Sequence, residues 1–154
     1  MAGENVFDLL NYSNPVFQTY CFYTGVLVLK LLSMAFLTGR LRHSKNVFAN
    51  PEDAKMNPKA KVKYDDVDVE RVRRAHLNDL ENLVPFFIIG LLYVLTNPSQ
   101  FLAITLYRVI AFSRIAHTLV YAVFVIPQPA RGLAFFGALA PTIYMALQVV
   151  LAFY

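Results

Sequence analysis

The chain has 154 residues, room for one domain and little more, and 57% of them are hydrophobic, above the roughly 45–50% of a soluble globular domain. With a mean hydropathy of +0.47, this composition points to a membrane protein. The net charge of +4 belongs to one segment, since ten of the fourteen Lys and Arg lie between Arg40 and Arg74 and no acidic residue follows Glu81; this excludes the general basic surface that binds nucleic acid.

The N-terminus, "MAGENVFDLL", carries Glu4 and Asp8 where a cleavable signal would be basic, so the first hydrophobic span is expected to act as its own insertion signal. That span runs from about Pro15 to Thr38 (15–38) with one charge, Lys30, read as a snorkelling or ion-paired residue. At roughly 1.5 Å per residue it crosses a hydrocarbon core of about 30 Å. Cys21 sits among Tyr20, Phe22 and Tyr23, is the only cysteine, and reads as a buried apolar thiol. Residues 40–70 form the one polar segment, expected as a solvated, partly disordered loop facing lipid headgroups, with a basic block followed by an acidic one.

The second span covers about 71–95, with "RVRRAHLNDLE" leading into its apolar half. "TNPSQ" breaks the helix, and the third span follows at about 101–126. "IPQPAR" is a tight turn whose Pro129 suits a helix start, and the fourth span occupies about 131–153. The expected fold is therefore all-α, a four-helix integral membrane bundle forming a single domain over residues 1–154. Seven Lys and Arg between Arg40 and Lys63, and Arg131 in the third connection, put the long loop and the Pro-rich turn in the cytosol. Both termini and "TNPSQ" then face the lumen, where Asn11-Tyr12-Ser13 forms a glycosylation sequon close to the membrane.

Ionisable groups inside a span cost roughly 2.5–3.5 kcal/mol on insertion scales, so they face protein or water. On the second span Arg71, Arg74, Asn78 and Glu81 fall at i, i+3, i+7 and i+10, one helical stripe. Arg114, His117 and Tyr121 repeat the spacing on the third, and Arg131 opens the fourth. Guanidiniums, an amide, a carboxylate, an imidazole and a phenol at one end of three helices suit a small polyanion with one amine, for which glutathione has the right groups. Interhelical ion pairs, Glu81 with Arg74 or Arg114, account for the same spacing without a ligand. Periodicity leaves both open. His76 points off the stripe, Arg108 lies off the Arg114 face, and His76, Asp79 and Glu81 lack the spacing of a metal site, so no metal is expected.

"FANPEDA" (48–54), "VERVRRAHLNDLENLVPF" (69–86), "RIAHTLVY" (114–121) and "PQPARGLAFF" (127–136) resemble the signature segments of the membrane-associated proteins in eicosanoid and glutathione metabolism. The likeness is to the type-one microsomal glutathione transferase branch first and to the microsomal prostaglandin E synthase branch next. It implies a homotrimer in membrane lipid, multi-pass in the endoplasmic reticulum and, as a second location, the mitochondrial outer membrane. Glutathione is implied as co-substrate, bound between neighbouring subunits near the cytosolic face. The implied activity is transfer of glutathione to lipophilic electrophiles, together with reduction of lipid hydroperoxides; the alternatives are a glutathione-dependent prostaglandin endoperoxide isomerase and a non-catalytic lipid-binding scaffold. The implied glutathione contacts are Arg42, Arg74, Asn78, Glu81, His117 and Tyr121, with Arg71 and Arg114 in the network. Arg131 matches the arginine that stabilises the thiolate, and Asp53 matches its partner in the synthase, although "NPEDA" also suits a loop-capping carboxylate. Leu77, Gly132 and Phe135 follow the transferase pattern, where the synthase has Arg, Ser and Tyr; Ala54 replaces a cysteine common in the transferase branch.

Overall fold

A computed structural model of the protein describes residues 6–55 and 57–154. Glu4, part of the N-terminal reading, and Met56, inside the basic block, lie outside the described residues. In chain order the elements are α1 (Val6–Leu9), α2 (Pro15–Lys45), β1 (Val47–Phe48), α3 (Pro51–Ala54), β2 (Lys61–Val62), α4 (Val67–Val94), α5 (Gln100–Thr118), a π-helical turn (Leu119–Val123) and α6 (Ala130–Phe153). Four helical segments, α2, α4, α5 with its π turn, and α6, are long and apolar enough to cross a membrane.

Local chemistry sets the ends of these helices. Asn14 caps α2 by accepting from the Val16 and Phe17 amides at 2.9 and 3.5 Å, and Pro15 supplies a preset φ in the first turn. The helix continues to Lys45, past the expected stop near Thr38. Gly39 does not break it, and Arg42, His43 and Lys45 put positive charge against its C-terminal dipole. It stops at Asn46, which takes the left-handed conformation (φ 55°) and donates its N–H to the Arg42 and His43 carbonyls. Helix α4 likewise begins earlier than Arg71: Asp66 caps it through the Asp68 and Val69 amides, each at 3.2 Å. The Lys45 ammonium, 2.9 Å from Asp66, holds that carboxyl below the usual carboxylate range.

The polar segment carries more structure than an open loop. Strands β1 and β2 pair in parallel, Val47 opposite Lys61 and Phe48 opposite Val62. Val47 and Phe48 are buried, His43 packs edge-on against Phe48, and Asn57 donates to Asn46 Oδ1 at 2.6 Å. These two apolar residues and the Lys45 pairs with Asp66 and Asp68 fold the segment back onto the end of α2.

Helices α4 and α5 form the interior of the bundle, with α2 and α6 each packed on both. Away from the polar segment the core is aromatic: the Tyr20, Phe86 and Tyr107 rings lie within 5.8–6.5 Å of one another. Tyr20 donates to the Phe87 carbonyl at 2.7 Å and Tyr107 to the Gly90 carbonyl at 2.9 Å, so neither buried phenol lacks an acceptor. The outer faces carry Phe22, Leu29, Phe36, Ile88, Phe112, Leu133 and Leu147, an apolar surface suited to lipid. Cys21 is on this outer side; it is exposed, not buried as expected, because its helix turns Tyr20 inward and the neighbouring position outward.

The α2–α4 crossing depends on Gly90, where a Cβ would come within 2.9 Å of the Tyr20 ring. That ring is held by its hydrogen bond and cannot swing aside cheaply. Gly90→Ala is expected to destabilise the bundle by about 1–3 kcal/mol through overpacking, read as a lower thermal midpoint in detergent; an unchanged midpoint would show that the crossing has slack.

Candidate functional site

The N-terminal part of α4, the C-terminal end of α5 and the first turn of α6 meet at one end of the bundle. Between them opens a cleft of about 370 Å³ lined by Arg74, Leu77, Asn78 and Glu81 from α4, His117 and Tyr121 from α5 and its π turn, and Gln128, Arg131, Gly132 and Phe135 at the start of α6. Its volume falls near the lower end of the range for small-molecule sites.

Each contribution has a local cause. The α4 residues arrive by the three- and four-residue spacing of one helical face. On the third helix the ladder loosens into a π turn, where the Phe124 amide donates to the Leu119 carbonyl at 2.8 Å. Tyr121 sits in that turn and packs edge-on against His117, ring centroids 5.5 Å apart. The chain leaves through Val125, which holds φ at 49°, a conformation unfavourable for a β-branched side chain. At the start of α6 the Gln128 side chain accepts from the Gly132 amide at 3.0 Å and takes the place of a missing cap. Arg131, in that first turn, lays its guanidinium 4.5 Å above the Tyr121 ring. A fixed cation thus stands beside the positive end of a helix, an arrangement that favours an anion.

Six of the expected site residues line this cleft: Arg74, Asn78, Glu81, His117, Tyr121 and Arg131. His117 is 2% exposed and its Nδ1 has no partner among the described residues. The other four stand elsewhere. Arg71 pairs with Asp68 at 2.8 Å, one turn back along α4. Arg42 and Asp53 line a second cleft of about 610 Å³ with Gly39, His43, Phe48 and Asn57. Asp53 there accepts from the Asn50 side chain at 3.0 Å, and Arg42 Nη1 is buried without a partner among the described residues. Arg114 is fully buried behind the cleft.

Arg114 belongs to an ion network that the residue spacing did not reveal. Asp79 on α4, 0% exposed, pairs with Arg114 from α5 and with Lys30 from α2, and Thr118 Oγ1 lies 3.5 Å from its second oxygen. The carboxylate closing the interhelical interface is thus Asp79, and Glu81 is not used for it. None of the ion pairs among the described residues involves Arg74, Glu81 or Arg131. The signal available was Lys30, the one charge of the first span, which membrane burial obliges to find a carboxylate on a neighbouring helix. Gln128 also went unread, because "IPQPAR" was read only as a tight turn with Pro129 at a helix start.

Four membrane-length helices with a polar cleft at one end define the class: a helical membrane protein with a site of small-molecule size. Comparison with known proteins agrees and goes further. The MAPEG family, the same membrane-associated proteins in eicosanoid and glutathione metabolism, matches residues 20–151, and the chain belongs to that family. It is similar to microsomal glutathione S-transferase 1 of Bos taurus, 45% identical over 141 residues (88% of this chain, 90% of the relative), and to that of Sus scrofa, 44% identical over the same length and shares. It is also similar to prostaglandin E synthase of Equus caballus, 38% identical over 138 residues, 90% of each chain.

Proposed function

We propose that this protein is a membrane-bound glutathione transferase, adding the glutathione thiolate to lipophilic electrophiles and reducing lipid hydroperoxides at the same site. The observation that carries the reading is Arg131, fixed over Tyr121 at the N-terminus of α6 and lining a cleft that also holds the Glu81 carboxylate. Glutathione at neutral pH carries two carboxylates and one ammonium. Arg74 and Arg131 complement the anionic part, and Glu81 complements the amine. A free thiol with a pKa of about 8.5 is mostly protonated at pH 7, so the arginine supplies the thiolate that attacks. The apolar electrophile arrives through lipid and glutathione through water, and the site joins them at the boundary.

The same proposal assigns the protein to the endoplasmic reticulum membrane, and to the mitochondrial outer membrane as a second location, with the cleft towards the cytosol. It is a homotrimer, in which Arg42 reaches glutathione from a neighbouring subunit. The separation of Arg42 from the Arg131 cleft within one chain, and its buried Nη1 without a partner among the described residues, support that assembly. Native mass spectrometry in detergent should give three times 17.5 kDa.

A prostaglandin endoperoxide isomerase is the second reading, because synthases are among the relatives. Two features favour the transferase: Leu77 and Phe135 stand in the Arg131 cleft where the synthase pattern has Arg and Tyr, and the transferase relatives are 44–45% identical against 38% for the synthase. Purified protein incubated with a halonitroarene, a lipid hydroperoxide or a prostaglandin endoperoxide, each with and without glutathione, separates the readings; turnover of the endoperoxide alone would reverse the order.

Glu81→Gln tests the amine contact. Losing a charge-assisted hydrogen bond of about 1.5–3 kcal/mol should raise KM for glutathione at least tenfold, with kcat little changed because the amine is remote from the sulfur. An unchanged KM would remove Glu81 from the site.

A further inference from the structure

We propose that Arg114 is a positioning residue: held in the bundle interior by Asp79 and Lys30, it fixes the Asn78 carboxamide so that its NH₂ group, not its oxygen, faces the cleft. The inference rests on the reading of that cleft as a glutathione site. It assigns Asn78 as a hydrogen-bond donor to a glutathione carbonyl or carboxylate, and it gives the buried ion network a part in recognition.

The geometry is directional. Arg114 Nη2 lies 3.1 Å from Asn78 Oδ1 and also donates to Asp79 Oδ1. The two ends of a carboxamide look alike in shape but not in chemistry. A guanidinium has only donors, so the end that meets it must be the oxygen. With the oxygen engaged on the interior side, the two N–H donors of Nδ2 are what Asn78 has left to offer the cleft that it lines. Arg114 itself is fully buried and does not line the cleft; its hydrogen bond to Asn78 links it to a residue that does.

The network behind Arg114 explains why the guanidinium stays in place. Asp79 neighbours Asn78 in sequence, so the two project about 100° apart on α4, one inward and one towards the cleft. Asp79 holds Arg114 on one oxygen and Lys30 on the other, tying α2, α4 and α5 together. Without Asp79 the guanidinium has no anchor, and without Arg114 the carboxamide is free to rotate and present either end.

The test is a double-mutant cycle in the intact membrane protein, reading glutathione affinity by calorimetry and KM against kcat with a halonitroarene. Arg114→Lys keeps a charge opposite Asp79, but its side chain is one atom shorter than the reach of Nη2, the single nitrogen that donates to both Asp79 and Asn78, so the contact with Asn78 is lost. The expected result is a thermal midpoint close to wild type, a KM for glutathione raised about tenfold and kcat at saturating glutathione within about twofold. Asn78→Ala should raise KM by a similar factor, and in that background Arg114→Lys should add nothing. Purely structural roles for the two residues would give additive penalties, and additivity overturns the proposal.

A second variant leaves Arg114 untouched. Asn78→Asp can still accept from Arg114 but has no donor for the cleft, so affinity should fall about tenfold with stability retained. High salt should not restore it, because screening weakens charge repulsion but does not replace a donor. Wild-type affinity in Asn78→Asp, or recovery in high salt, overturns the assignment of Asn78 as donor. Absence of glutathione binding to the wild-type protein would instead sink the transferase reading, an outcome separate from additivity in a protein that binds.

Discussion

Replacing Arg131 with alanine should move the acid limb of the pH–rate profile for conjugation upward by about two units and lower turnover at pH 7 by tens of fold, with the deficit narrowing towards pH 9. The sign follows from the charge. A cation beside a thiol favours the anion, typically lowering its pKa by about 1–3 units. If bound glutathione titrates near 6.5 in the wild type and near 8.5 without Arg131, the thiolate fraction at pH 7 falls roughly 25-fold. A more basic thiolate is also a better nucleophile, by about eightfold for a Brønsted coefficient near 0.45. The charge effect alone therefore nets only about threefold at pH 7 and reverses once both thiols are ionised. The larger part is positional: in the proposed site the guanidinium, anchored over Tyr121, would hold the sulfur in place, and losing that contact should cost about another tenfold. Arg131→Lys separates the two, keeping the pH limb near its wild-type position while losing the anchored fork. A profile that does not move in Arg131→Ala would take the thiolate role away from this residue.

Much of this arrangement was legible because helical spacing is strict. Arg74, Asn78 and Glu81 recur on one face of α4, His117 and Tyr121 on one face of α5, and each set reaches the cleft as its period requires. Arg131 was legible from its place just inside the fourth helix. The missing part is what spacing does not encode, namely which neighbour a face meets. Arg114 belongs to the same period as His117 but lies deeper, where Asp79 is the nearest carboxylate; Glu81, half a turn on, faces the cleft. Ligand cleft and ion-paired interface looked like competing explanations of one stripe, and the fold has an open polar cleft and an ion-paired interface on adjacent faces of α4. Helix ends were legible only in part, because charge after Thr38 looks like a loop. A helix in the headgroup region can keep its charges solvated, so α2 stops at the left-handed Asn46 and not at the first polar residue. The pairing of Val47–Phe48 with Lys61–Val62 was hidden for a related reason: two buried residues, Val47 and Phe48, stand in a segment whose composition is otherwise polar.

The effect on stability should be largest at Asp79. This carboxylate is fully buried between Lys30 and Arg114, and Asp79→Asn leaves two like charges in the bundle interior with no counter-charge. Breaking a buried pair by removing one partner typically costs about 3–5 kcal/mol, because the remaining charge is desolvated without compensation. Here two cations are stranded, so the cost should reach at least the upper end of that range, seen as a steep drop in thermal midpoint and in yield of detergent-extracted protein. The complementary variant replaces the whole network with apolar residues, Lys30→Met, Asp79→Leu and Arg114→Met. Desolvation of the ions then disappears along with their attraction, and such replacements are often neutral or stabilising by about 1–4 kcal/mol. The triple variant should therefore recover much of the stability that Asp79→Asn loses, yet bind glutathione more weakly than wild type, because nothing is left to hold the Asn78 oxygen. Full recovery of both stability and affinity would mean that the ions serve packing alone. Recovery of stability without affinity would show that a buried charge network, dispensable for holding the helices together, is kept for the direction it gives to one amide.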